Sequence, residues 1–453
     1  MRDLLRSRRG SVAFATVIAL VPLIGVVSLG AEAGSWYVTK QHAQNAADAA
    51  AYSGALKLEC KTVAQGGGPT CTDTQTEDYR AKQFAAQNAF CNGGDTTVYP
   101  GSRCASLPTG ISQQVSVVVS SNQVQATVSQ TQPAYLAQLL GLSTVTIGAT
   151  AIAQVDTLTL PCVLSLTDPL VFQGNTTIKA PNCGLSSNAT NPSNAVQFTG
   201  NSTDLTQVKS VSAAGGCSQT GGTQCNTAIT FASPTPNPLS ALDTAIASLT
   251  TASFTGGACG ATLKAYGPVT ATTGPCYNNG WSPSGTVNLT SGVYFFDGAV
   301  KLSSSSLTIT GTVTLILLPK STGKNGFSGA SLTINGGPTI QLTGLSKITA
   351  SQVPAALGST TNLALLSGIV IYDPETTTKN QTVNISGSST TYFSGITYAP
   401  NADIVYQGNT TQTNSCNEVI AKGITLSGSS NFDNSTCSVS NPAAVTHYVH
   451  LVQ

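Results

Sequence analysis

The residues best equipped for chemistry are twelve cysteines: Cys60, Cys71, Cys91, Cys104, Cys162, Cys183, Cys217, Cys225, Cys259, Cys276, Cys416 and Cys437. No CxxC occurs, and the closest pair is eight apart. Zinc ligands usually stand two to four residues apart, so a metal site is the poorer reading. Disulfides formed in an oxidising compartment are the better one. Sequence leaves connectivity open. Pairing of chain neighbours would give 60–71, 91–104, 162–183, 217–225, 259–276 and 416–437, each loop worth about 3 kcal/mol in the chain-entropy view.

Little else could catalyse. Histidine is confined to His42, His447 and His450, and the last two sit in VTHYVHLVQ, which alternates like a closing strand. Arginine stops at Arg103. A lyase acting on acidic polysaccharide needs basic groups to neutralise its substrate and abstract a proton, and these are scarce. A glycoside hydrolase needs convergent carboxylates. The acids from Asp156 to Asp433 are dispersed, and the only close pair, Asp373 and Glu375 around Pro374, reads as an exposed turn. No P-loop, HExxH or GxGxxG stands between a strand and a helix. No catalytic, metal-binding or cofactor-binding set is read from the chain. Sequons at Asn175, Asn201, Asn384 and Asn409 are what so much Asn, Ser and Thr produces by chance.

Composition agrees. Of 453 residues, 8 % are charged and the net charge is +1, against about 25 % charged in an ordinary soluble domain. Nucleic-acid binding has no electrostatic basis here. High-charge disorder is unlike a chain that is 40 % hydrophobic. The 44 glycines, with Ser, Thr and Asn, suit strands and turns of a structural or surface protein.

The elements that would carry such a protein begin with an anchor. Residues 1–10 hold four arginines, and residues 11–31 carry no charge. Those 21 residues would span roughly 30 Å as a helix, the thickness of a bilayer core. The basic residues precede the run, which puts 1–10 in the cytoplasm and the rest across the membrane. A retained transmembrane helix over 11–33 is the first reading. A signal peptide cleaved after the small-residue site Ala31-Glu32-Ala33 is its rival. Beyond it, Ala43, Ala46, Ala47, Ala50, Ala51 and Ala55 recur at helical spacing. That stripe would pack against a later helix of this chain or against a partner's helix.

Several of these residues together carry a family resemblance. Arg8-Arg9-Gly10, Pro22 within the apolar run, Glu32, the aromatic pair Trp36-Tyr37, and Gln44-Asn45-Ala46-Ala47-Asp48-Ala49-Ala50 resemble the start of Flp pilus-assembly proteins of the TadE/TadG-like kind. The likeness runs on through TEDYRAKQFAAQNAF (76–90), a strand pair, a helix PAYLAQLLGL (133–142) and a strand TVTIGATAIAQV (144–155). It covers about the first 155 residues and implies a small α+β neck over 34–158. Prepilin-type members have Glu five residues after the cleavage-site Gly. Ala15 stands there, so a retained cytoplasmic tail fits better than processing after Gly10. The Asp-x-Ser-x-Ser metal loop of some TadG-like members is missing from the sequence. The resemblance implies a bacterial inner-membrane protein, single-pass, working with other Tad/Flp pilus-assembly proteins.

From about 159 to 453 the alphabet changes to short strands punctuated by Gly, Ser and Asn. The motif apolar-x-apolar-polar-Gly recurs with its glycine at Gly174, Gly200, Gly387, Gly408 and Gly428. Repeats of twenty-odd residues predict a parallel β-helix, a solenoid whose stacked rungs share one apolar core; a β-sandwich with Gly turns is the alternative. The pairs 162–183 and 416–437 are each 21 apart, near one rung. Residues 237–252 read as a short helix that caps or decorates the solenoid, and 311–319 as a core strand. The functional expectation is a non-enzymatic, membrane-anchored envelope component of Flp/Tad pilus assembly, pseudopilin-like or a scaffold. The alternatives are a surface adhesin whose solenoid binds a glycan or another surface ligand and, remotely, a polysaccharide-active enzyme.

Overall fold

The computed structural model describes residues 8–65, 71–104, 107–157, 161–200, 203–254, 276–321, 326–375, 382–387, 390–412, 416–437 and 447–452. The chain divides into two compact units, residues 1–156 with 449–453, and residues 157–448.

The first unit is built on helix α1, Arg8–Gln65, whose 58 residues extend about 87 Å at the usual rise. Helix α2 (Glu77–Gln87) starts where Thr76 accepts the Tyr79 N–H, with Glu77 and Asp78 favourably placed in its first turn. Strands β1 (Ser112–Val119), β2 (Gln123–Pro133) and β3 (Thr144–Thr157) form a sheet closed by His447–Val452 beside β3. The hairpin β1–β2 and the pair β2–β3 are antiparallel. The alanine stripe packs within its own chain. Ala43, Ala46, Ala47, Ala50, Ala51 and Ala55 are buried with Ala81 and Ala85 of α2, Val124, Ala126 and Val128 of β2, and Ala149, Ala151 and Ala153 of β3.

The segment 133–142 departs from expectation. Instead of a helix it holds one 3-10 turn, Ala137–Leu140, ended by Gly141 at φ +91°. Pro133 is still the last residue of β2, and the segment from there to Thr144 is drawn into a loop by the Ala134 N–H donating to the Ser143 carbonyl at 3.1 Å.

Among the described residues the second unit is mainly one sheet of eighteen strands, and every strand pair described in it is parallel. Its order is not the chain order. One run goes from Cys276–Tyr277 through Thr286–Phe296, Thr308–Leu317, Ile369–Tyr372 and Thr390–Tyr406 to Asn417–Gly428. Asn417–Gly428 then pairs with Pro161–Ser165 and Leu170–Gly174, with Ile424 opposite Leu170. From there the sheet continues through Thr177–Ser187 to Asp204–Ala213. The unit therefore begins and ends, in sequence, on neighbouring strands.

Burial explains why the strands read as continuous apolar runs. One face of Val293–Phe296 and its neighbours lines a core with Phe172, Phe198, Tyr294, Leu315 and Phe393. The other face, with Phe295, Ile316, Tyr398 and Ile420, is covered by Leu242 and Ile246 of helix α3 (Ser240–Ala247) and Leu366 of helix α4 (Thr360–Leu366). Of residues 311–319, those up to Leu317 belong to the strand Thr308–Leu317, which is buried from Val313 on, as expected. The repeated glycines form a column. A Cβ on Gly200 would meet the Gly174 carbonyl oxygen at 2.2 Å, one on Gly174 that of Gly428 at 2.6 Å, and one on Gly428 that of Gly408 at 2.8 Å. Only a glycine leaves room for backbone this close.

Candidate functional site

Helix α1 joins two environments. Over its first part Ile18, Leu20, Leu23, Ile24, Val26 and Val27 are exposed, each by half or more. It contains one segment long and apolar enough to cross a membrane. Gly10 lies in its first turns and Pro22 within the apolar run. Its second part is the buried alanine stripe. At Gly54 an added Cβ would stand 2.9 Å from Val124 Cγ1 and 3.2 Å from the Glu77 carbonyl oxygen.

Glu32 stands at the junction. Its Oε1 accepts the Tyr135 N–H at 2.6 Å, and its Oε2 accepts those of Leu136 and Ala137, each at 3.0 Å. The carboxylate thus satisfies the free donors at the start of the 3-10 turn. Trp36 is half-buried, Tyr37 and Asn45 are exposed, and Gln44 donates to Asp48 one turn on at 2.8 Å.

Beyond α1, Arg80 forks onto Asp73, with Nε to Oδ2 at 2.8 Å and Nη2 to Oδ1 at 2.7 Å. Those bonds hold the Asp73 carboxyl down at about 2. The disulfide Cys60–Cys71, Cα atoms 5.4 Å apart, precedes it, and Cys91–Cys104 closes the loop after α2. In the second unit Cys162–Cys183, Cys217–Cys225 and Cys416–Cys437 are bonded. Cys276 is also disulfide-bonded, while Cys259 lies outside the described residues.

Asp373 and Glu375 are not an exposed turn: they are 2 % and 1 % exposed. Strand Ile369–Tyr372, buried on both faces, leads them inward. Asp373 accepts the Glu375 N–H at 3.2 Å, and Glu375 accepts the Lys320 N–H at 3.3 Å. Burial, with Glu375 adding like-charge repulsion, pushes the Asp373 carboxyl up to about 7. Asp297, also buried, accepts the Gly329 N–H at 3.0 Å. Among the described residues no group of three or more His, Cys, Asp or Glu is placed to hold a metal ion. His450 lies 3.7 Å from Asp156, and burial lowers the pKa of His447. Asn175 and Asn409 are exposed, Asn384 is half-buried, and Asn201 lies outside the described residues.

Sequence reading missed one constellation. Asp243 of α3 accepts the Tyr372 hydroxyl at 3.0 Å and the Tyr398 hydroxyl at 2.8 Å. The two buried rings stack 5.1 Å apart, and Asn237 donates to the Tyr398 oxygen at 2.8 Å. Burial raises the Asp243 carboxyl above its ordinary range even so. The set bolts α3 to the sheet.

These features define a class: a long apolar-to-alanine helix on a small α+β sheet, followed by a large, all-parallel β unit. Residues 10–57 match the putative Flp pilus-assembly TadE/G-like family, and residues 53–153 the putative Tad-like Flp pilus-assembly family. Over residues 10–153 the chain is thus similar to the Tad-type Flp pilus-assembly proteins. Residues 254–449 match a domain of unknown function, DUF7305. No curated protein and no solved structure matches the chain. The matches support a role in Tad pilus assembly alongside other pilus components.

Proposed function

We propose that the protein is a membrane-anchored, non-enzymatic component of Flp/Tad pilus assembly. Residues 1–10 stay in the cytoplasm, α1 crosses the inner membrane once, and both units lie outside the cytoplasm. The observation that carries this reading is the continuity of α1, which runs without a break from the exposed apolar segment into the buried alanine stripe. A pull on the second unit would pass through β3 into the core that grips α1. The second unit is read as a parallel β-helix presenting a rigid face to partners. The all-parallel pairing and the glycine column support that reading. Five joined cysteine pairs among the described residues fit an oxidising location.

The test is cross-linking and capture of the full chain from host cells, together with pilus counts in a deletion strain. Other Tad pilus-assembly proteins are expected in the capture, and the deletion should lose pili. Normal pili in the deletion strain, with no pilus protein captured, would count decisively against the reading.

A further inference from the structure

The loop Pro133–Leu142 is uncharged and holds four leucines and one tyrosine. It is closed by the Ala134 N–H donating to the Ser143 carbonyl at 3.1 Å. Tyr135 is 76 % exposed and Leu142 51 %. Glu32, which fixes the loop through three backbone donors, is the first charged residue after the apolar run 11–31. The loop must therefore sit at the height where that run ends. On α1, Leu29 is exposed one turn before Glu32, and Tyr37 and Val38 are exposed about 8–9 Å beyond it along the helix. Tyrosine and leucine are poorly placed in water but well placed at the boundary of headgroups and acyl chains, where aromatic residues concentrate.

We infer that this loop is a second membrane contact: Tyr135 and Leu142 lie in the outer interfacial layer of the bilayer that α1 spans. The occupant of this apolar surface is lipid, and Glu32 is the positioning residue that holds the loop at that depth. The first unit is then seated on the membrane at two points, which restrains its tilt. The inference rests on the proposal that α1 spans the bilayer.

Both can be tested in one experiment on the full chain in phosphatidylcholine vesicles. Tryptophan is placed at one position at a time, and the parent's Trp36 and Trp281 emission is subtracted. Leu20→Trp reports the span. Tyr135→Trp reports the loop. Val118→Trp is the water control: Val118 is 58 % exposed and pairs with Gln125, next to the Val124 that touches Gly54. Gly54 is 22 residues beyond Glu32 on α1, about 33 Å along the helix. With lipid brominated near the headgroup end, Tyr135→Trp should lose roughly half its emission and resist aqueous acrylamide, as a residue at the acyl boundary would. Val118→Trp should do the reverse. If Leu20→Trp is quenched by deeply brominated lipid but Tyr135→Trp is quenched only by acrylamide, the loop contact is wrong and the anchor stands. Shielding of Tyr135→Trp from both quenchers would mean a protein covers the loop, which also overturns the lipid contact. If Leu20→Trp escapes the brominated lipid, the anchor fails and the loop contact with it.

Discussion

Replacing Asp243 with Ala removes the acceptor shared by two tyrosine hydroxyls that are otherwise buried in the second unit. A hydrogen bond to a charged group contributes about 1.5–3 kcal/mol, and a buried donor left without a partner costs about 1–3 kcal/mol. Part of that gain is already offset, because the carboxylate is itself desolvated, as its raised pKa shows. Alanine also recovers roughly 0.5 kcal/mol of helix propensity on α3. The net expectation is a loss of about 3 kcal/mol. Trp281 is buried, stacked on Phe296 at 5.8 Å, and belongs to the same unit. In a Trp36→Phe background its emission follows unfolding of that unit in urea, with the full chain held in micelles. The decisive comparison is a second background, Tyr372→Phe with Tyr398→Phe, where no hydroxyl awaits the carboxylate. There Asp243→Ala should cost less than about 1 kcal/mol, since donor and acceptor are removed together. An equal cost in both backgrounds would refute the bolt, leaving Asp243 as an ordinary residue of the α3 surface.

Three further outcomes follow from the packing and the buried acids. Gly54→Val forces a branched side chain into the contact with Val124 and the Glu77 carbonyl, and should destabilise the first unit by about 2–3 kcal/mol; calorimetry in micelles would show an earlier transition for that unit alone. Asp373 has a folded-state pKa of about 7 against an ordinary 3.8, so the fold holds a proton that the unfolded chain releases. Its stabilising contribution is present below about pH 4 and is lost as pH rises toward about 7, at roughly 1.4 kcal/mol per pH unit. Asp373→Asn should flatten that fall in the urea midpoint read by Trp281, and an unchanged slope would contradict the assignment. Changing Cys416 and Cys437 together to Ser should lower the same midpoint by the equivalent of about 3 kcal/mol.

What the sequence disclosed was local and periodic. The alanine stripe from Ala43 to Ala55 announced a close-packed helix face, and at Gly54 an added Cβ would stand 2.9 Å from Val124. The glycines of the repeat motif, from Gly174 to Gly428, turned out to touch one another because each needs the same space at the same corner. Long-range order was illegible. Nothing near Ile424 or Leu170 signals that these two are opposed across 254 residues of chain. Asp243 looks like any acid in a helix's first turn, since its tyrosine partners are 129 and 155 residues away. Asp373-Pro-Glu375 was misread for a related reason: its composition is that of a turn, and only the buried strand before it draws it inside. The loop 133–142 kept its position but not its helix: its ends are drawn together by the Ala134 N–H on the Ser143 carbonyl, and Glu32, about a hundred residues earlier, caps the one turn that remains.

The central claim is that the exported units act while tethered to the inner membrane. It is tested most directly by replacing residues 1–33 with a cleavable signal peptide in a strain lacking the native gene, and counting Flp pili by electron microscopy. The native chain should restore pili, and the released chain, exported and disulfide-bonded but untethered, should not. Equal restoration by the released chain would contradict the tether.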